Sequence, residues 1–328
     1  MKMKIHQGLL RNETAPPCRL KASSHVYWLL GHINSYFEEA SSGAGNSGTR
    51  AHSSIMANSF VLQPDHHDFT PPYLSNPARN SPALREPEDT PKAFYPGQPK
   101  SLSGIALRAF CLGMAFSASI IGIVSILIFT QSPIWRVPFF LLSLSTFHFL
   151  EFWTTAQRNT AVATIDSFLL TANWPSYAIA HSAAFVECIV VTVFFPNRHW
   201  APFNSDRLLL FAGLFLVSIG QAVRSIAMLH AGASFNHKIQ TRRAQSHLLV
   251  TTGIYGWLRH PSYFGFFYWG LGTQLVLGNT ICFVVYSAVL FKFFQNRIKV
   301  EEEKLVQFFG DAYVEYRKRV GTLMPFLG

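Results

Sequence analysis

The sequence has little charge and little cysteine. Of its 328 residues 13% are charged, against roughly 25% in an average soluble domain, and 49% are hydrophobic. This balance disfavours a soluble enzyme. The four cysteines have neither the spacing of a metal site nor that of a disulfide framework, and no HExxH or CxxC motif occurs. We therefore predict that the cysteines are packing residues and that the protein holds no metal.

The sequence also lacks any strand signal. No stretch alternates apolar and polar residues, and no glycine cluster follows a strand pattern, which excludes a Rossmann-type nucleotide domain. The N-terminus has no apolar stretch of signal-peptide length before Pro16-Pro17, so the first membrane span must direct targeting. Residues 1–100 are rich in Ser, Pro, Asn and Gly without helical or strand period, which predicts a disordered polar leader.

Long apolar runs begin at Leu102. About twenty apolar residues suffice for a helix to cross a bilayer, and such runs recur to the end of the chain. The sequence therefore predicts an all-α, multispanning membrane protein with about six or more spans. We place them near 103–130, 134–156, 165–195, 207–230, 263–278 and 280–296. Residues 173–175 should break the third span and leave a half-helix before them. The last two spans should form a helical hairpin. A C-terminal cytosolic helix, with aromatic residues at helical spacing and an interruption at Gly310-Asp311, should follow and either lie along the membrane surface or fold back on the loops.

The net charge is +10, from 27 Lys and Arg against 17 Asp and Glu. The basic residues lie in short loops between apolar runs, which suits a bilayer surface and makes nucleic-acid binding a poor interpretation. Their distribution over alternate loops follows the positive-inside rule if both termini are cytosolic.

A few polar residues fall inside the predicted spans. His148 and Glu151 share a face of the second span, and we expect them to form a hydrogen-bonded packing pair rather than a catalytic one. Arg224 and His230 near the end of the fourth span are expected to snorkel or to bind a lipid headgroup.

The densest polar cluster next to apolar sequence lies between Phe235 and Tyr263. Pro261 should place His260 at a turn that starts the fifth span, where free backbone N–H groups could bind an anionic group. Gly253, Gly256 and Gly265 would let the backbone bend around a ligand. From composition alone, a ligand-binding loop and an interfacial aromatic belt are equally supported.

Longer motifs decide between these readings. The segments HLLVTTGIYGWLRHPSYFG and FFQNRIKVEEEK closely resemble the isoprenylcysteine carboxyl methyltransferase family of endoplasmic reticulum membranes, and the resemblance extends upstream through FNHKIQ and FHFLEF. It covers most of residues 102–328. It implies methyl transfer from S-adenosylmethionine to the C-terminal carboxylate of farnesyl- or geranylgeranyl-cysteine in prenylated proteins. Residues 101–234 would then form the lipid-facing bundle and 235–328 the catalytic part.

The resemblance also implies roles for individual residues. Arg297 would bind the substrate carboxylate, and Glu301 would pair with the cofactor's amino group while keeping Arg297 aligned. The residues that would hold the cofactor are Gln240, His247, Leu248, Leu249, Val250, Tyr255, His260, Pro261, Ser262, Tyr263 and Glu301. A carboxylate is already ionised at pH 7 and is its own nucleophile, so this chemistry needs positioning rather than a general base.

Other functions remain open at this level. A phospholipid N-methyltransferase would share the membrane and the cofactor, but its amine acceptor gains nothing from an arginine. A sterol reductase is disfavoured because the chain looks short for it and offers no extra basic site for a cofactor phosphate. A transporter or scaffold would use the polar residues of the bundle, although no internal repeat supports it. Whether the chain forms a homo-oligomer is also left open.

Overall fold

A computed structural model of the chain describes residues 91–171, 174–196, 205–243 and 247–324. These residues form helices and short 3-10 turns and contain no β-strand, which confirms the all-helical expectation for them. Most of the predicted leader, and Cys18 and Asn173, lie outside the described residues. The helices are α1 (Leu102–Phe129), α2 (Arg136–Arg158), α3 (Ser176–Phe194), α4 (Asp206–Ala231), α5 (Pro261–Leu277), α6 (Thr280–Phe309) and α7 (Asp311–Arg319).

Four described helices, α1, α3, α4 and α6, are long and apolar enough to cross a membrane. Helix α2 has 23 residues, about 34 Å at 1.5 Å per residue, but carries buried charged and hydroxyl side chains along one face. Helix α5 has 17 residues and is entirely uncharged. The structure therefore supports a multispanning protein, and the count of six spans stays a prediction.

One predicted boundary was wrong. The segment before Pro175 is a single 3-10 turn, Ile165–Phe168, rather than a half-helix, so the third span begins only at Ser176. The helix that contains the last predicted span continues beyond residue 296, because the run of good helix formers that follows extends α6 to Phe309. The helix stops where Gly310 adopts a φ of +54°, at the break that the sequence predicted.

Helices α4 and α5 pack with their backbones in close approach. A Cβ added at Gly220 would lie 2.6 Å from the backbone N of Trp269, and one at Gly272 would lie 2.7 Å from that of Val217. Gly213 and Gly265 face the partner helix equally closely. Gly265 thus serves the packing of two helices. The expectation that it would bend the chain around a ligand was wrong.

The polar residues inside the bundle pair differently from the prediction. His148 does not bond to Glu151, since its Nδ1 donates to the Phe168 carbonyl at 2.8 Å. Arg224 does not snorkel: it is 6% exposed and forms a two-pronged ion pair with Glu151. The His230 ring packs against Gly253, and its binding to a headgroup stays a prediction. The sequence placed these residues in the bundle but not with these partners.

Glu187 has a role that the sequence did not reveal. Its carboxylate accepts the backbone N–H groups of Ile281 and Cys282, both at 2.7 Å, and so caps the first turn of α6. Cys188 and Cys282 are buried in the core as predicted, while Cys111 is exposed on α1.

The end of the predicted leader is structured. The Pro99 carbonyl accepts from the backbone N of Ile165, and Lys100 Nζ donates to the Ala161 carbonyl at 2.8 Å. Residues 91–100 therefore belong with the helical part of the chain.

Candidate active site

The predicted site residues converge where the loop after α4 meets the start of α5, the second half of α6, and α7. Pro261 is the first residue of α5 and His260 precedes it with φ −125° and ψ 62°, as the X-Pro step predicted. The rings of His260 and Tyr263 stack at a centroid distance of 5.5 Å and an angle of 6°. The helix start thus presents two aromatic side chains together.

Tyr263 joins α5 to α6 through its hydroxyl. Arg297 Nε donates to this hydroxyl at 2.8 Å, and the hydroxyl donates to Glu301 at 2.5 Å. Arg297 also donates through Nη2 to the carbonyl of His237. The structure shows no direct ion pair between Arg297 and Glu301 among the described residues, so the tyrosine hydroxyl connects them.

Glu302 holds the other side of the site. Its Oε1 accepts from His260 Nε2 at 3.1 Å and lies 3.2 Å from Arg259 Nε, and its Oε2 lies 3.6 Å from Arg317. This orients the His260 ring, which is 5% exposed. Sequence reasoning missed Glu302, although it is one of the three consecutive glutamates in the motif.

A cavity with about 640 Å³ of non-protein space, including its open mouth, lies beside these residues. Nine of the eleven residues predicted to hold a cofactor line it: His247, Leu248, Leu249, Val250, Tyr255, His260, Ser262, Tyr263 and Glu301. Gln240 and Pro261 do not. Gln240 bonds to the Lys238 carbonyl on the exposed loop, and Pro261 is buried as the first residue of α5.

Part of the cavity wall comes from the last described segment of the chain, which lies in the part predicted to be catalytic, although the sequence assigned no individual residue of it to the site. The lining includes Leu305, Phe309, Tyr313 and Tyr316. Tyr316 donates to the Tyr255 carbonyl at 2.6 Å, and the Gly321 carbonyl accepts from the backbone N of Arg259 at 3.0 Å. The helical spacing of these aromatic residues predicted a tail that either lies along the membrane surface or folds back on the loops. In the structure the tail folds back on the loop.

Two polar atoms in the lining lack a protein partner among the described residues. They are the hydroxyl of Tyr313, a residue 1% exposed, and Nδ1 of His247. Burial without a partner costs free energy, which a polar ligand can recover. Burial lowers the pKa of His247, and the nearby Arg243 charge lowers it further, while Glu301 opposes both. Burial raises the pKa of Tyr316 to about 12.

Metal chemistry has no visible basis in this region. Within the described ranges, no three His, Cys, Asp or Glu side chains are grouped so that they could hold a metal ion. The site offers instead a cavity with one acidic side chain, several aromatic walls and an adjacent guanidinium.

Comparison with known proteins identifies the family. The sequence model of the isoprenylcysteine carboxyl methyltransferase family matches residues 212–307. The protein-S-isoprenylcysteine O-methyltransferase of Schizosaccharomyces pombe is 38% identical over 237 residues, covering 69% of this chain and 98% of that protein. The chain belongs to this family. The protein-S-isoprenylcysteine O-methyltransferase of Saccharomyces cerevisiae is 46% identical over 189 residues. The match covers 57% of this chain and 79% of the Saccharomyces cerevisiae protein.

A solved structure from the family agrees. The structure of the eukaryotic intramembrane Ras methyltransferase, isoprenylcysteine carboxyl methyltransferase, superposes with a TM-score of 0.60 at 36% identity. The match covers 68% of this chain and 77% of that one. The resemblance inferred from the motifs is thus confirmed. The segment matched by the family model contains Arg297 and Glu301 but ends before Tyr313 and Tyr316.

Proposed function

We propose that this chain is a protein-S-isoprenylcysteine O-methyltransferase, which esterifies the C-terminal carboxylate of a farnesyl- or geranylgeranyl-cysteine with a methyl group from S-adenosylmethionine. The observation that carries the proposal is the juxtaposition of the cavity with Arg297. Tyr263 lines the cavity and bonds to Arg297, so a ligand in the cavity and a carboxylate on the guanidinium would be neighbours.

The cavity fits S-adenosylmethionine in chemistry. The cofactor carries an ammonium and a sulfonium cation, and Glu301 places a carboxylate in the lining. The partnerless Tyr313 hydroxyl and His247 Nδ1 offer further hydrogen bonds, and Tyr255 and Phe309 offer aromatic surface. When bound, the cofactor supplies an electrophilic methyl group. The residues of the chain bind and orient it, and Leu248, Leu249 and Val250 add apolar contacts.

Arg297 is suited to orient the acceptor. Of its five N–H donors, two are used by Tyr263 and His237 within the described part of the chain, and the others can grip a carboxylate. Its guanidinium lies over the Tyr263 and Phe293 rings at 5.4 and 5.9 Å. These contacts limit its rotation. Since the carboxylate is its own nucleophile, alignment is the main contribution that the protein must make.

The proposal includes a membrane arrangement. We add α2 and α5 to the four apolar helices, which gives six spans with both termini cytosolic in the endoplasmic reticulum membrane and α7 on the cytosolic side. Residues 101–234 then form the lipid-facing bundle and 235–328 the catalytic part. Glycosylation acceptor sites inserted at residue 97 and after residue 328 should both stay unmodified. A site inserted within residues 197–204, between α3 and α4, should be glycosylated.

An acceptor assay tests the reaction. Membranes containing the protein are incubated with methyl-labelled S-adenosylmethionine and either N-acetyl-farnesylcysteine or phosphatidylethanolamine. We expect label only on the prenylcysteine. The methyl ester of N-acetyl-farnesylcysteine is the control, because its carboxylate is already blocked and it should accept no label.

Each outcome of this assay is informative. Label on the phospholipid would replace the proposal with phospholipid N-methylation. Label on neither acceptor, with the protein shown to be folded by its thermal transition, would refute methyl transfer to either class.

A further inference from the structure

The carboxylate of Glu151 lies on α2 and is not part of the cavity lining, yet its bonds lead to Arg297. Glu151 is 1% exposed and accepts from Arg224 Nη2 and from His237 Nε2, both at 2.8 Å. His237 in turn offers its backbone carbonyl to Arg297. The side chain of His237 is therefore fixed by Glu151, and its main chain holds the guanidinium assigned to the acceptor.

The same carboxylate is linked to the site by a second route. Arg224 uses Nη1 to donate to the Ser262 carbonyl at 3.0 Å, in the first turn of α5. The next residue, Tyr263, accepts from Arg297 Nε. The contacts therefore form a closed ring. It runs from Glu151 to His237, on to Arg297 and then to Tyr263. The chain joins Tyr263 to Ser262, and Ser262 bonds to Arg224, which returns to Glu151. We call this ring the Glu151 brace.

We propose that Glu151 and His237 are positioning residues of the methyl transfer, which hold Arg297 in the orientation that aligns the acceptor carboxylate. This rests on the proposed function. His237 lies on the loop between α4 and α5. The position of its carbonyl therefore depends on the contacts that anchor this loop. Asn159 anchors it by donating to the carbonyls of Ala233 and Phe235, and Glu151 anchors it at His237.

A buried ion pair is weak support for a purely stabilising role. Desolvation offsets much of the attraction within such a pair, and apolar replacements of similar volume are often as stable. Glu151, however, binds two donor side chains, Arg224 and His237, whose other hydrogen bonds among the described residues lead to Arg297 or to the turn beside it. This selective arrangement favours positioning, because small displacements of an orienting group are costly to a reaction that depends on alignment.

Variants of His237 provide the main test, since its side chain is 17% exposed and its loss leaves no large cavity in the bundle. In nanodiscs, His237→Ala should lower kcat/KM for N-acetyl-farnesylcysteine by about tenfold to a hundredfold. The Kd for S-adenosylmethionine should change by less than about twofold. His237→Gln keeps a donor for Glu151 and should recover most of the lost rate. Thr155→Val, which removes a buried α2 hydroxyl bonded only to the Glu151 carbonyl, should leave these kinetics unchanged.

A double-mutant cycle tests whether the effect passes through Arg297. Distant, independent substitutions multiply in their effects on rate, whereas coupled ones do not. In the Arg297→Lys background, His237→Ala and Glu151→Gln should each cost less than about twofold more. Multiplying effects, unchanged acceptor kinetics in His237→Ala, or no recovery in His237→Gln would overturn the inference. Wild-type protein that fails to methylate the prenylcysteine would overturn the proposed function as well, which separates the two failures.

Discussion

The hydroxyl of Tyr263 accepts a hydrogen bond from Arg297 and donates one to Glu301, at 2.8 and 2.5 Å. Arg297 and Glu301 are four residues apart on one helix face and would have been expected to pair directly. The inserted hydroxyl instead connects the proposed acceptor arginine to a carboxylate of the cavity lining. Each of the three side chains thereby limits the movement of the other two.

Tyr263→Phe removes this connection and keeps the ring, which stacks on His260 and packs on Phe294. We expect turnover of N-acetyl-farnesylcysteine to fall by about ten- to a hundredfold, or about 1.4 to 2.7 kcal/mol, because Arg297 and Glu301 both lose a bonding partner. Tyr268→Phe on the same helix is the matched control. Equal activity of the two variants would show that the Tyr263 hydroxyl has no role in the reaction.

Arg297→Lys keeps the positive charge but loses the planar fork of donors. Turnover of the prenylcysteine should fall by about ten- to a hundredfold, and the Kd for S-adenosylmethionine should barely change. Arg319→Lys makes the same chemical change at an exposed position of α7 and should be silent. A loss of cofactor affinity as large as the loss of turnover would contradict the assignment of Arg297 to the acceptor.

Glu301→Gln removes the carboxylate from the cavity lining without changing its shape. Binding of S-adenosylmethionine should weaken more than binding of the acceptor, because in the proposed site the lost charge would face the cationic cofactor. Titration of cofactor and acceptor separately on purified protein measures both. Glu303→Gln on the same helix, outside the cavity lining, serves as the control. If both ligands weaken equally in a folded protein, Glu301 is a structural residue.

The cofactor site should weaken in acid because of His247. Its pKa lies below the ordinary histidine value of 6.5, mainly through burial and then through the Arg243 charge. An unfolded chain therefore takes up this proton at a higher pH than the folded one, so the stability that neutral His247 contributes is present above pH 6.5 and is lost as pH falls through its folded pKa.

Arg243→Gln should raise that pKa and move the acid loss of S-adenosylmethionine binding to higher pH. His247→Asn should remove the dependence. Binding isotherms at a series of pH values check both. The same acid limb in all three proteins would mean that another group is responsible.

Gly220→Leu should separate α4 from α5. Even its Cβ would approach the backbone N of Trp269 to 2.6 Å, a clash that no side-chain rotation relieves. We expect a loss of about 1–3 kcal/mol or more in stability, seen as a lower thermal transition in detergent. Gly113→Leu places the same side chain on α1 where nothing lies within 4 Å, and it should be tolerated. Equal transitions in both variants would contradict the close packing.

Many structural features of this protein could be predicted from the sequence, because they depend on local properties of the chain. The apolar runs located the four described helices that are long and apolar enough to cross a membrane, since burial in lipid requires about twenty consecutive apolar residues. Pro261 and Gly310 located a helix start and a helix end, because their backbone conformations depend on the residue itself. The motifs grouped most of the cavity lining into two short stretches.

The tertiary structure alone decided the partners of the polar side chains. Glu151 bonds to Arg224, 73 residues away, and to His237, 86 residues away, rather than to the nearby His148. Helix α7 returns Tyr313 to a cavity whose walls between Ala231 and Tyr263 precede it by tens of residues. Such pairings depend on how helices cross, which the glycine contacts of α4 and α5 set through three-dimensional packing. No local sequence pattern encodes that crossing. The sequence therefore predicted which residues belong to the site but not which of them bond to each other.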